Sequence, residues 1–240
     1  VKIKNEPLRQ QGYTSDTVTF ADQVLAFFRQ LKIKTHLPDG VEVLNPYKND
    51  QAFELCTLFY KEYYNDTSPR NLIIGINPGR LGAGLTGIPF TDPIKLEKYC
   101  GIQNSLPKKA ELSADFIYSV IEAYGGLEKF YKNFYFSSVS PLGFTMDGRN
   151  LNYYDIRELK DSLRGFIIDS LEKTIAFGIN TSVCYCLGEG DNFRFLCQLN
   201  DEKKFFNRII PLSHPRFIMQ YRRKRVADYV SEYISKLNLT

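Results

Sequence analysis

The chain reads as a three-layer α/β/α sandwich around a mainly parallel four-stranded sheet, and three observations predict it. Four short apolar runs, rich in β-branched and aromatic residues, stand at 72–76, 134–139, 182–187 and 207–212. Stretches of helical periodicity separate them, and regular alternation of strand and helix argues for parallel strands joined by crossovers. Each run also stops at a glycine or proline break: Asn77-Pro78-Gly79, Pro141, Gly188-Glu189-Gly190 and Ser213-His214-Pro215. Open α/β sheets bind ligands just beyond the carboxyl ends of their strands. Residues far apart in sequence, Asn77, Ser138 and His214, are therefore expected along one edge.

In chain order, residues 1–17 are polar and aperiodic, a loosely packed lead-in to one domain over 1–240. Thr19-x-x-Asp22 has the form of a capping box with Asp in place of Glu or Gln. Phe20, Val24, Phe27, Phe28 and Leu31 follow at helical spacing. Residues 36–50 carry turn signals and read as a loop, with His36 a surface histidine. A second helix runs from Asp50 to Tyr64, with Ala52, Leu55 and Phe59 on its apolar face. The first strand and a glycine-rich loop come next. Residues 93–100 read as a short helix closed by Gly101. Ser113 is expected to cap a helix that ends at Gly125-Gly126. Asp155 and Glu158 open the clearest helix, striped with Ile156, Leu159, Leu163, Phe166, Ile167 and Leu171, ending near Gly178. Asp191 is expected to cap a helix to Leu199. The last helix carries Val226, Val230, Tyr233, Ile234 and Leu237 on one face.

Composition narrows the class. Hydrophobic content is 43% and charged content 24%, enough for a sizeable core without covalent staples. The five cysteines are odd in number and form no C-x-x-C pair, so a disulfide framework, a zinc site and an iron–sulfur cluster are all disfavoured. No apolar run approaches the length of a membrane span, and no signal peptide is visible. A cytoplasmic protein with reduced thiols is expected. Net charge is +4, too weak alone to argue a polyanionic partner. The charge is not evenly spread: Arg216, Arg222, Arg223, Lys224 and Arg225 fall within ten residues with no acid among them. Such a run is either a phosphate track or a solvated helix face.

The most informative stretch is 71–90. A buried strand halts at Asn77-Pro78-Gly79, and four glycines, Gly79, Gly82, Gly84 and Gly87, fall within nine residues before Phe90. Glycines permit close approach of backbone to a ligand. The loop has neither G-x-x-x-x-G-K-[ST] nor G-x-G-x-x-G, which argues against a nucleotide-phosphate cradle. A long surface turn is the competing reading.

Taken together, G-I-N-P-G (75–79), T-G-I-P-F (86–90), C-G-I (100–102), S-P-L (140–142) and H-P (214–215) resemble the uracil-DNA glycosylase superfamily, in the same order. The nearest branch is the single-strand-selective monofunctional one, in its second bacterial type. The resemblance spans about 70–235. It implies a uracil-DNA glycosylase-like sandwich and hydrolysis of the N-glycosidic bond of a base flipped out of DNA. It implies that His214 donates to a base oxygen, that Asn77 positions water and that Phe90 stacks on the base, with Ile76, Gly79 and Gly87 around it. Each residue also has an ordinary reading: a structural histidine, an Asx turn at Asn77, a core phenylalanine.

Two departures stand out. Where the family carries an Asn that reads the Watson–Crick edge of uracil, this chain aligns Ser138. A hydroxyl lacks the paired donor and acceptor of an amide, so a range extending to xanthine or hypoxanthine is expected. Arg80 replaces an apolar or small residue, either reaching a phosphate or lying solvated. After His214, Phe217, Ile218 and Met219 are expected to supply a wedge into the vacated stack, flanked by phosphate contacts from Arg216 and Arg222–Arg225; alternatively two of the three pack inward. The reading is a monofunctional DNA glycosylase of base excision repair, with no metal, no cofactor and no Schiff-base lysine in the motifs, acting as a monomer on DNA and on no membrane. Two rivals are a damage-binding protein of the same fold with weak catalysis and an N-glycosidase acting on free nucleosides.

Overall fold

The computed structural model describes residues 17–238. The expected lead-in over 1–17 lies outside them except for its last residue. In chain order the elements are helix α1 (Phe20–Gln30), strand β1 (Val41–Leu44), α2 (Asp50–Tyr63), β2 (Arg70–Gly75), α3 (Ala83–Thr86), α4 (Pro93–Lys98), α5 (Leu112–Tyr124) and α6 (Leu127–Asn133). They continue with β3 (Phe134–Ser138), β4 (Gly143–Met146), β5 (Arg149–Leu151), α7 (Arg157–Ala176), β6 (Ile179–Leu187), α8 (Asp191–Lys203), β7 (Arg208–Leu212), α9 (Pro215–Tyr221) and α10 (Val226–Leu237).

The four expected strands form one sheet in the order β3-β2-β6-β7, and every pairing is parallel. All four carboxyl ends therefore lie along one edge, as the alternating pattern requires. The central strand β2 is buried along Leu72-Ile73-Ile74, which is why it reads as a continuous apolar run rather than an alternating one. The buried apolar side chains form one contiguous cluster from Phe20 to Leu237.

The amino-terminal helix forms as its sequence dictates. The Thr19 hydroxyl accepts from the Asp22 N–H at 3.2 Å, and the Asp22 carboxylate accepts from the Thr19 N–H at 3.0 Å. Such a reciprocal cap is worth about 1 kcal/mol. Phe20 then packs between Tyr64, Tyr135 and Phe177. At the start of β2, Arg70 is 1% exposed. Its guanidinium meets both Asp66 oxygens at 2.5 and 2.8 Å and the Tyr131 carbonyl at 3.2 Å, so the buried charge is paired and its donors are used.

Several expectations are corrected. The segment 36–50 is not all loop: it contains β1 and a 3-10 turn over Pro46–Lys48. Strand β1 joins β4 and β5 in a separate antiparallel sheet ordered β1-β4-β5. Its β4–β5 hairpin turns through Asp147-Gly148, both at positive φ (50° and 69°), the Asp-Gly signature of a tight hairpin. Ser113 does not cap α5; Glu111 occupies that position and Ser113 is buried within the first turn. Asp155 bonds back to Asn152 at 2.8 Å instead of capping α7, which begins after Ile156. Asp191 is the first residue of α8 rather than its cap, and that helix runs on to Lys203. The segment after His214, where the wedge and its flanking cations are expected, folds as α9, and Pro215 suits its first helical turn.

Candidate active site at the carboxyl edge of the sheet

The edge is ordered by the strand order. Ser138 ends β3, Asn77 lies just past β2, Gly188-Glu189-Gly190 follows β6 and Ser213-His214 follows β7. The β6 turn therefore stands between the asparagine and the histidine. Gly188 takes φ +102° and donates its N–H to the Leu212 carbonyl at 2.8 Å, which bends β6 against the end of β7. A side chain there would come within 4.0 Å of the His214 ring and Cβ. A cavity of about 310 Å³ opens between these turns, lined by Ile76, Tyr154, Glu189, Asn192, His214 and Phe217 among others.

His214 is half-buried and serves as the N-cap of α9. Its Nδ1 accepts from the Arg216 N–H at 3.2 Å. An imidazole nitrogen that accepts carries no proton, so the neutral ring bears its hydrogen on Nε2. Burial, with Arg216 adding to it, pulls the imidazole pKa from 6.5 down to about 4. The ring is thus a neutral Nε2–H donor near pH 7. Tyr233 from α10 donates its hydroxyl to the Ser213 carbonyl, and the Ser213 hydroxyl donates to Glu189 at 3.3 Å, holding the turn from both sides.

Two long-range bonds hold Asn77, beside a longer local one from its Nδ2 to the Pro78 carbonyl at 3.4 Å, and its Oδ1 forms no local Asx turn. Its Nδ2 donates to the Leu151 carbonyl at 3.2 Å and its Oδ1 accepts from the Tyr153 N–H at 3.0 Å. This pairing orients the amide and leaves Oδ1 one further lone pair. The small antiparallel sheet and the segment just after β5 supply these contacts and more. Asn150 on β5 accepts from the Arg80 N–H at 3.1 Å. Gly143 on β4 lies so close to the loop that a Cβ there would stand 2.2 Å from the Pro78 carbonyl oxygen. The element missed in the sequence is thus the clamp on Asn77-Pro78-Gly79. Its signal was present as Met146-Asp147-Gly148-Arg149.

Phe90 is half-buried, at φ +54°, with its ring 5.2 Å from that of Phe136. The ring lies against Gly75, where a Cβ would stand 3.4 Å from it, in ordinary van der Waals contact. Gly75 pairs with Ser138 across the strands, and Ser138 follows Phe136 by two residues, so Phe90 and Ser138 share a face of the sheet. The Ser138 hydroxyl has no hydrogen-bond partner among the described residues. Ile76 lines the cavity and its carbonyl accepts from the Ser140 N–H at 3.1 Å. Gly79 is half-buried, its carbonyl accepting from Gly84 at 2.8 Å.

Two expected contacts are corrected. Gly87 is buried and its N–H donates to the Ala83 carbonyl at 2.8 Å, so that N–H is not free to meet a base; at φ +72° it ends α3 and shapes the loop instead. Ile218 is 0% exposed and fills the core, so it is not a wedge. Met219 is partly buried against the same core. Phe217 is 41% exposed and Tyr221, which the sequence reading passed over, is 61% exposed. Their rings are 5.7 Å apart, and the Arg222 guanidinium lies over Phe217 at 5.2 Å. Arg80, Arg216, Arg222, Arg223, Lys224 and Arg225 are all exposed, with Arg225 paired to Asp228 at 2.9 Å.

Among the described residues no helix is long and apolar enough to cross a membrane. A family profile described as the uracil DNA glycosylase superfamily matches residues 62–238. Among solved structures, the crystal structure of wild-type Pedobacter heparinus SMUG2 superposes with a TM-score of 0.90 at 46% identity, covering 92% of this chain and 97% of that one. No curated protein matches the sequence.

Proposed function

This chain belongs to the uracil-DNA glycosylase superfamily, and from that premise we propose how its edge residues divide the work and which bases it accepts. It is a monofunctional DNA glycosylase, a hydrolase of N-glycosyl bonds that acts on damaged DNA in base excision repair. The base leaves as an anion while the sugar gains oxocarbenium character. A site for this reaction must stabilise charge on a base oxygen, hold water near C1′ and grip the flipped base.

His214 stabilises the leaving base. A neutral imidazole with its Nδ1 committed to the Arg216 N–H offers only Nε2–H, aimed as a preorganised donor where charge develops. This fixed tautomer is the observation that carries the reading. Asn77 orients the attacking water through the spare lone pair of Oδ1; an amide is no strong base, so its contribution is positional. Phe90 stacks on the base, and Ile76 and Gly79 line its edge. Ser138 offers a single rotatable hydroxyl to the Watson–Crick edge, which both a pyrimidine and a purine dione can satisfy. We therefore propose uracil, xanthine and hypoxanthine as substrates. Phe217, the exposed apolar residue beside His214, is the wedge, and the cations from Arg216 to Arg225, with Arg80, meet phosphates. The protein works as a cytoplasmic monomer of one domain; five free thiols fit a reducing compartment.

The test is a panel of single- and double-stranded oligonucleotides bearing uracil, xanthine or hypoxanthine, scored for alkali-labile breaks. Asn77→Ala and His214→Ala are expected to lose rate by about a hundredfold or more while still binding. Full activity in either variant removes that residue from the site, and inactivity of the parent on every damaged base overturns the proposed substrate range.

A further inference from the structure

Tyr153 and Asn192 lie behind the asparagine and have no part in the reaction as described so far. Tyr153 is 0% exposed and Asn192 2% exposed. The Tyr153 hydroxyl donates to Asn192 Oδ1 at 2.9 Å, wholly inside the protein. The same tyrosine donates its backbone N–H to Asn77 Oδ1. Asn192, in the first turn of α8, turns its Nδ2 toward the carbonyls of Leu187 at 3.3 Å and Gly75 at 3.4 Å. One buried side chain thus touches the last residues of β2 and β6 and the hydroxyl of the tyrosine whose backbone N–H meets the Asn77 amide. Phe195 and Tyr154 pack on that ring at 5.3 and 5.0 Å, so its position depends on the hydroxyl for direction and on packing for depth.

From this chain of contacts we infer that Tyr153 and Asn192 are positioning residues for Asn77, transmitting the register of the β2 and β6 ends to the amide that orients water. The inference rests on the proposed role of Asn77. Residues 152–155 lie past the end of β5 and are held locally by the turn in which Asp155 bonds back to Asn152, and a backbone donor is only as well aimed as its segment. The Tyr153 hydroxyl ties this segment to the rigid sheet edge from within. A buried polar pair is an expensive way to fill core. Here it sets the angle of one N–H.

Tyr153→Phe keeps the ring and removes the tie. Single-turnover cleavage of a uracil-bearing single strand is expected to slow about tenfold to a hundredfold, the scale of a small misplacement of a reacting group. Affinity for an uncleavable strand carrying 2′-fluorinated deoxyuridine should stay within about twofold, since binding uses other residues. In an Asn77→Ala background the same change should cost nothing further, because the group being aimed is gone. Asn192→Leu, of similar volume, withdraws the acceptor from the other end; because Asn192 also lines the cavity, it is read by cleavage rate and by its non-additivity with Asn77→Ala, and it carries the test if Tyr153→Phe does not fold. An unchanged rate in both variants, or a loss that adds in full to that of Asn77→Ala, overturns the inference. Wild-type cleavage by Asn77→Ala itself would instead refute the role of Asn77 on which it rests.

Discussion

Titrating His214 tests the proposed chemistry most directly. The ring is neutral because protonation would put a hydrogen on Nδ1, where the Arg216 N–H already points, and would place a charge in a half-buried site beside a guanidinium. The folded pKa of about 4 lies below the ordinary 6.5. Below pH 6.5 the unfolded chain takes up a proton that the folded chain refuses, so stability falls as pH drops from 6.5 to about 4 and this contribution levels off below that. The fall in pKa corresponds to at most about 3 kcal/mol. Solvent at the open rim of the ring lowers that to about 1–2 kcal/mol. Denaturant unfolding across that pH range should show this slope, and His214→Gln should flatten it. Nitrogen-15 spectra of the ring should show a protonated Nε2 and a bare Nδ1 down to about pH 5. The single-turnover rate should show no inflection near 6.5 from this group and should fall only as pH approaches 4. An inflection near 6.5 that His214→Gln abolishes, or a ring protonated on Nδ1 at neutral pH, would refute the reasoning.

The other predictions address recognition and the clamp. Ser138→Asn restores an amide with a paired donor and acceptor; competition between uracil and xanthine substrates should shift toward uracil by about tenfold or more, and an unchanged ratio would show that Ser138 does not read the base. Arg222→Ala with Arg223→Ala should weaken binding more at low salt than at high, reducing the slope of log affinity against log salt by about 1.4–1.8 units. An unchanged slope would make the run a solvated helix face. Gly143→Ala drives a Cβ to 2.2 Å from the Pro78 carbonyl; overpacking of this kind costs about 1–3 kcal/mol. Both the melting temperature and the cleavage rate should fall, and a wild-type melting curve would mean the loop yields without cost.

Local signals carried much of the sandwich. The central strand β2 of the large sheet is a continuous apolar run because both of its faces are covered, whereas the edge strand β7 is only partly buried, and each strand is followed by glycine or proline where the chain turns. The cap at Thr19 and Asp22 is equally local, a matter of two side chains three residues apart. The small sheet was harder to read. Val41–Leu44 pairs with Gly143–Met146 across about a hundred residues, and its exposed faces erase the apolar pattern. Only its hairpin turn, Asp147-Gly148, left a local mark. Exposure within 217–219 was likewise illegible, since three consecutive apolar residues on a helix face three directions, and what each one meets depends on α5 and the rest of the core.

By itself, then, the sequence determined the chain order of the large sheet's strands and the edge on which they end, and it singled out Asn77, Phe90, Ser138 and His214 as candidates, because strand ends, turns and motifs are written in neighbouring residues. Tertiary structure alone decided how those side chains point. The His214 tautomer follows from a backbone N–H that exists only once α9 forms. The Asn77 amide is set by Leu151 and Tyr153, more than seventy residues away. The Phe90 ring packs against Gly75 and Phe136, each on a different element. Orientation of this kind is a property of contacts between distant segments, and no pattern of neighbouring residues encodes it.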